Sequence, residues 1–500
     1  MLLLLVAAVL GAILSFLAFP PFGPGLLIVP GIAVLLSALR LCRERSHGVL
    51  VGAVYGLVFF GGLMWWLAEL ELIALVLIPV QAVFLAVYGW WLVRFNERSP
   101  WVWLTMAVGS WAVMELARYH LPVGGLEWGA AGYALADFDL TRMPAWAIGT
   151  SGLTLVVVLV GALFAVGFTT GSWRWLLSPI PVVVLAGSLA LLAPGVEGGA
   201  YPVAVVQGST PCPFEHCPPN ERLRTFAQHL ELTTSLPDGY GGLVVWPEGS
   251  TGSTNADPML NDEVREAIAD QARRLRSTMV IGGDRVLSDT EWINANVYFD
   301  SNGEIVGEYR KYHGVPFGEY VPLRLLFDWI PALARVPRDM IRGEGPFVYE
   351  GIGSVISFEG GFSRYTYEVR KAGADVIIVN TNEASYGPDA PTSDQFINMT
   401  RMRAVELGVP VVHAAVTGKS VVIDAFGDLG PTTGLGTMEI LDDTYGSSRS
   451  TVYMAIGNLV MWLAAVAAVV VWSRSLVGSR PMQLACGSMR SNTGRRDQED

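Results

Sequence analysis

Charge is scarce in this chain: 16% of its 500 residues are Asp, Glu, Lys or Arg, against 52% hydrophobic, and the mean hydropathy is positive. So little charge argues against an ordinary soluble protein of this size, yet it is too much for a chain buried in lipid from end to end. Cysteine is scarcer still, with four in all. Only His216 stands near Cys212 and Cys217, and no second ligand pair accompanies them, which argues against a metal site. No internal repeat is evident. Neither a cofactor nor a nucleic-acid partner is expected.

The apolar excess is concentrated in residues 1–199 and again in 451–474, whereas 200–450 has the content of a globular domain long enough to bury its own core. The apolar parts break into eight runs near the length that crosses a bilayer: 2–20, 24–39, 48–69, 71–93, 101–118, 146–171, 174–194 and 452–473. The tight turn Phe19-Pro20-Pro21-Phe22-Gly23-Pro24 suggests a hairpin of the first two. Arg40, Arg43 and Arg45 follow the second run, Arg94 and Arg98 the fourth, and Arg174 the sixth. Arg474, Arg480, Arg490, Arg495 and Arg496 follow the last. The alternate loops are poor in basic residues and carry Glu69 and Glu71. The positive-inside rule therefore predicts both termini in the cytoplasm and 200–450 outside. Met1 leads into an apolar run with no basic flank or cleavage site, which weighs against a signal peptide. Trp65, Trp66, Trp90, Trp91, Trp101 and Trp103 lie near run ends, where amphipathic rings anchor. An oxidising exterior favours a Cys212–Cys217 disulfide, although their spacing suits two free thiols equally. Residues 475–500 are polar and predict a disordered cytoplasmic tail.

Within 200–450, short apolar stretches alternate with amphipathic ones. Strands are predicted at 203–207, 242–246, 279–283, 297–300, 304–310, 354–357, 375–380, 411–415 and 420–425, and helices at 220–235, 259–276, 361–372 and 392–408. Several strands are apolar without alternation, as in sheets covered on both faces. The pattern predicts a two-sheet α/β layer sandwich attached to a multi-span helical membrane domain.

Three strand ends carry chemistry. Glu248 follows Trp246-Pro247 at the end of one strand, where a lone carboxylate is commonly a helix cap or a solvated group. Lys311 follows another strand and opens a run rich in Pro, Gly and aromatic residues, which makes a fixed loop. Glu319, eight residues on, can orient Lys311 by charge pairing; the bland reading is a surface carboxylate. His313 fits a structural role. Ser357 ends the strand Gly353-Ser354-Val355-Ile356, with Phe358 and Glu359 following. A carboxylate base takes a nucleophile's proton, an ammonium stabilises the oxyanion, and the nucleophile carries an acyl group to a second substrate.

These segments resemble the nitrilase, or carbon–nitrogen hydrolase, superfamily, and the eight runs around an outer domain look like the apolipoprotein N-acyltransferases over about residues 1–473. The carriers are Val205-Val206-Gln207-Gly208, Trp246-Pro247-Glu248 and Lys311-Tyr312-His313-Gly314-Val315-Pro316-Phe317-Gly318-Glu319-Tyr320-Val321-Pro322. Asn380-Thr381-Asn382, Arg403-Ala404-Val405-Glu406 and Thr417-Gly418-Lys419-Ser420 add to them. The resemblance implies an αββα nitrilase-like sandwich in a bacterial cell membrane. It implies an acyl chain taken from a phospholipid and passed to the N-terminal diacylglyceryl-cysteine of a lipoprotein. By position, Glu248 is then the general base, Lys311 the oxyanion-stabilising lysine and Glu319 a supporting carboxylate. Ser357 stands at the nucleophile position, where the family has Cys, and Phe358 and Glu359 stand where it has Tyr and Glu. The segment Asn382-Glu383-Ala384-Ser385-Tyr386-Gly387 departs from one that usually carries Trp. A serine hydroxyl is far less acidic than a thiol. Two readings follow: a working N-acyltransferase with an atypical nucleophile, or a weak or inactive homologue that binds lipid or a membrane partner. An outward-facing amidase is a third, disfavoured by the extensive membrane runs.

Overall fold

The computed structural model describes residues 1–477 apart from 71, 197, 215–218, 328, 331, 332 and 335. Each of the eight apolar runs is helical over most of its length. Among the described residues, four segments are long and apolar enough to cross a bilayer: Arg45–Leu63, Leu72–Phe95, Ala145–Thr170 and Trp173–Leu191. Leu2–Leu17, Gly25–Leu41 and Leu459–Ser475 are apolar but shorter. Pro100–Arg118 carries a buried ion pair, Arg118 to Glu115 at 2.7 Å. The hairpin of the first two helices is formed. A Cβ at Gly31 would stand 2.2 Å from Ser15 Oγ, so only glycine lets these backbones approach.

Ala145–Thr170 bends at Gly149, whose φ of 70° is left-handed and whose missing Cβ makes room for the Tyr453 ring. Just past the bend, Glu406 accepts hydrogen bonds from the Thr150 N–H at 2.9 Å and the Thr150 hydroxyl at 2.8 Å. Arg403 lies 3.1 Å from Glu406 and donates to the same hydroxyl at 2.9 Å. This part of the family-like run is therefore a joint between sandwich and helices.

Among the described residues the sandwich has thirteen strands: β1 Tyr201–Gln207, β2 Leu243–Trp246, β3 Thr278–Val286, β4 Glu291–Phe299, β5 Ile305–Arg310, β6 Asp339–Met340, β7 Val348–Tyr349, β8 Ile352–Ile356, β9 Val376–Thr381, β10 Val411–Ala415, β11 Val421–Ile423, β12 Leu429–Thr432 and β13 Glu439–Tyr445. One sheet runs β13-β1-β2-β3-β4-β5 with β6 beside β4, and the other β12-β11-β10-β9-β8-β7. In each, the central strands are parallel, and β2 and β9 are buried at every residue, because both faces are covered. Val205, Val245, Ile356, Ile378 and Val412 fill the space between the sheets. Asp262–Leu275 packs on the outer face of the first sheet. Ser363–Lys371 and Thr392–Leu407 cover the second sheet and join it to the membrane helices in one continuous core.

Two expectations are corrected. β4 begins at Glu291, well before 297, since Asn294 and Asn296 interrupt its apolar pattern while pointing to partners inside the sandwich. The edge strands β12 and β13 were not expected, because both are largely polar and half-exposed. Cys212 is disulfide-bonded; Cys217, its expected partner, and the 478–500 tail lie outside the described residues.

Candidate active site

The two sheets are bolted together beneath the three chemistry-bearing strand ends. Ser354 on β8 accepts from Asn296 at 2.9 Å and from Tyr298 at 2.7 Å, both on β4. Asn380 on β9 donates to Asn296 at 2.9 Å and to the Trp246 carbonyl at 3.2 Å. These bonds fix the carboxyl ends of β2 and β8 relative to each other, and Glu248 and Ser357 continue those ends.

Lys311, 0% exposed, is the hub. Its Nζ lies 2.7 Å from Glu319 and 3.8 Å from Glu248. Burial disfavours its charge, but Glu319, Glu248 and Glu359 outweigh that cost and hold the ammonium protonated. Burial pushes the Glu248 carboxyl up from its ordinary range, with Lys311 pulling it back. Asn294 donates to Glu248 at 2.6 Å, and the Asn382 N–H is a second donor. The other Glu319 oxygen accepts from the Val315 N–H at 2.7 Å, so the expected charge pair also closes the loop. His313 is structural: burial lowers it to about 3, and its ring stacks on Tyr365 at 4.7 Å.

Ser357 is half-buried and opens the 3-10 turn Ser357–Gly361 with a φ of 54°. A left-handed serine stores about 1–3 kcal/mol, held in place by its surroundings. Among the described residues its hydroxyl has no hydrogen-bond partner. Phe358 stacks on Trp128, in the loop after Pro100–Arg118, at 6.2 Å and 6°.

Glu359 is the fastening of the site. Fully buried, it accepts from the Ile356 N–H at 2.9 Å, the Tyr309 hydroxyl at 2.7 Å, the Tyr312 N–H at 3.0 Å and the His313 N–H at 2.9 Å. One carboxyl thus ties the turn bearing Ser357 to the loop bearing Lys311; burial raises it to about 7. Glu359→Ala should strand these donors at about 1–3 kcal/mol for each left unsatisfied. A lowered melting point and faster hydrogen exchange at Tyr312 and His313 would show it. Unchanged protection at both would sink this role.

Sequence reasoning named Glu248, Lys311, Glu319 and Glu359, and the structure joins them around Lys311. It missed Asn294, Asn296 and Ser354. Their signal was polar residues in otherwise apolar strands.

The paired sheets with a Glu–Lys–Glu cluster at their strand ends define a carbon–nitrogen hydrolase fold, and residues 202–445 match the carbon-nitrogen hydrolase family model. Residues 11–163 match the apolipoprotein N-acyltransferase N-terminal domain. The chain belongs to the apolipoprotein N-acyltransferase family. Among its relatives, an apolipoprotein N-acyltransferase of Nitrosomonas europaea is 27% identical over 98% of each chain. One of Sinorhizobium medicae is 28% identical over 94% of this chain and 95% of that one. Solved structures with a similar fold include an amidase of the nitrilase superfamily from Nesterenkonia, 17% identical, covering 52% of this chain and 95% of that one with a TM-score of 0.37. A carbon-nitrogen hydrolase of Helicobacter pylori is 14% identical, covering 57% and 97%, also at 0.37.

Proposed function

We propose that this protein is a membrane N-acyltransferase that moves an acyl chain from a phospholipid to the α-amino group of the N-terminal diacylglyceryl-cysteine of lipoproteins, through an acyl-enzyme on Ser357. Glu248 takes the Ser357 proton, Lys311 stabilises the oxyanion, Glu319 and Glu359 orient Lys311 and its loop, and Phe358 lines the nucleophile. The observation that carries this reading is the buried ammonium of Lys311 held between Glu248 and Glu319. Eight spans, a catalytic domain at 200–450 outside the cell membrane, and both termini in the cytoplasm complete it, supported by the arginine-rich alternate loops. A lipid- or partner-binding homologue without transfer activity is the second reading, favoured by a serine whose hydroxyl has no bonded base.

Mass spectrometry of a lipoprotein N-terminus from a strain lacking the enzyme separates the two. Restoring the wild type should return the N-acyl mass, and Ser357→Ala should not. Equal rescue by both removes Ser357 as nucleophile; no rescue by either favours the binding reading.

A further inference from the structure

We propose that Glu383 and Thr417 form the subsite that receives the primary amine of the acyl acceptor, a deeper statement of the transfer reading above and resting on it. The other carboxylates of the site are all partnered: Glu248 and Glu319 share Lys311, and Glu359 accepts four hydrogen bonds. Glu383 differs. It is 4% exposed, one oxygen accepts from the Ser393 hydroxyl, and the other has no partner among the described residues. Among the described residues it has no ion pair, because the nearby Lys419 is engaged with Asp394 at 2.6 Å. The Thr417 hydroxyl, 0% exposed, is likewise without a partner among the described residues. Gly418 lies so close that a Cβ there would stand 2.5 Å from the Glu383 carboxyl carbon, so the chain is shaped around this group.

Its position connects it to the reaction centre. The preceding residue, Asn382, donates its N–H to Glu248. Tyr386, three residues on, lies within the electrostatic reach of Glu383, Glu248, Lys311 and Glu319 together. Asn382 and Ser385 are exposed, so the buried carboxyl sits one residue from open surface. A buried carboxyl without a cation is costly, and the unpaired Thr417 hydroxyl, one residue from the Gly418 that packs on it, adds to the cost. A primary ammonium relieves both, bringing a positive charge and three donors to two acceptors. Burial raises Glu383 to about 7, near the range of an α-amino group, so the two exchange a proton readily.

The test uses the full chain in detergent and a synthetic diacylglyceryl-cysteine peptide, with a free α-amine or N-acetylated. The wild type should bind the free amine about tenfold tighter than its acetylated twin, a difference of about 1.4 kcal/mol. Glu383→Gln, and separately Gly418→Ala, should reduce that preference below about threefold, while Thr417→Ser keeps it. Folding of each variant is checked by its affinity for the acetylated peptide; if Glu383→Gln fails to fold, Thr417→Val is read the same way. A preference that survives Glu383→Gln, or a wild type that shows none, overturns the subsite. A wild type that discriminates between the peptides but transfers no acyl chain sinks the transfer reading and leaves the subsite standing.

Discussion

Lys311→Met should abolish acyl transfer and lower the melting temperature of the purified protein by on the order of 10 °C. The side chain is wholly buried, and its ammonium is shared by Glu319 at 2.7 Å and Glu248 at 3.8 Å. Methionine fills similar volume, so packing changes little and the effect isolates the charge. Breaking a buried pair by removing one partner costs about 3–5 kcal/mol, because the charge left behind has no compensation. Here two carboxylates are left, already close enough to push the Glu248 carboxyl upward. The double variant Lys311→Met with Glu319→Gln should recover part of the lost stability, since it removes one stranded charge. It should recover no activity, because the oxyanion still lacks its cation. An unchanged melting temperature in the single variant would mean that the ion pair holds nothing together. Retained transfer would remove Lys311 from the chemistry.

Ser357→Cys should raise the rate of acyl-enzyme formation by tenfold or more, about 1.4 kcal/mol or more off the barrier. A thiol has an ordinary pKa of about 8.5, so a neighbouring ammonium yields appreciable thiolate near neutral pH. A hydroxyl must lose its proton during the attack itself, and Glu248 is the only base the proposal gives it. The backbone places no obstacle in the way, since the left-handed turn at Ser357 is set by Glu359 and the strand, not by the hydroxyl. Single-turnover release of lysophospholipid, read for wild type, Ser357→Cys and Ser357→Ala, orders the three. A cysteine variant no faster than wild type would mean that nucleophile acidity does not limit this enzyme. An alanine variant as fast as wild type would move the nucleophile elsewhere.

Two of the strand ends were legible because β2 and β8 are short, mostly apolar, buried runs that stop abruptly at Pro247 and the turn after Ile356, while Lys311 was legible from the Pro-, Gly- and aromatic-rich run it opens. Apolar runs of that kind announce a strand covered on both sides, and their ends announce where side chains emerge. What joins those ends was not legible. Glu359 holds Tyr309 in the other sheet and Tyr312 and His313 in the loop that follows it, and no local spacing encodes that meeting. Asn294 and Asn296 looked like interruptions, which hid the first half of β4, yet they hold Glu248 and Ser354. Glu406 stood out in the sequence only through resemblance. Its work, accepting the Thr150 N–H freed where the helix bends at Gly149, depends on a turn of chain far away.

The helix Thr392–Leu407 is buried at every residue but Asp394, with the second sheet on one side and membrane helices on the other. The catalytic half is therefore not cargo on a lipid tether: the spans form one of its walls. Cut free at its linkers, the sandwich would present an oily face studded with the Arg403–Glu406 pair, stripped of the Thr150 N–H and hydroxyl that complete its hydrogen bonds. A water-soluble version of this enzyme requires a new wall, not a shorter chain.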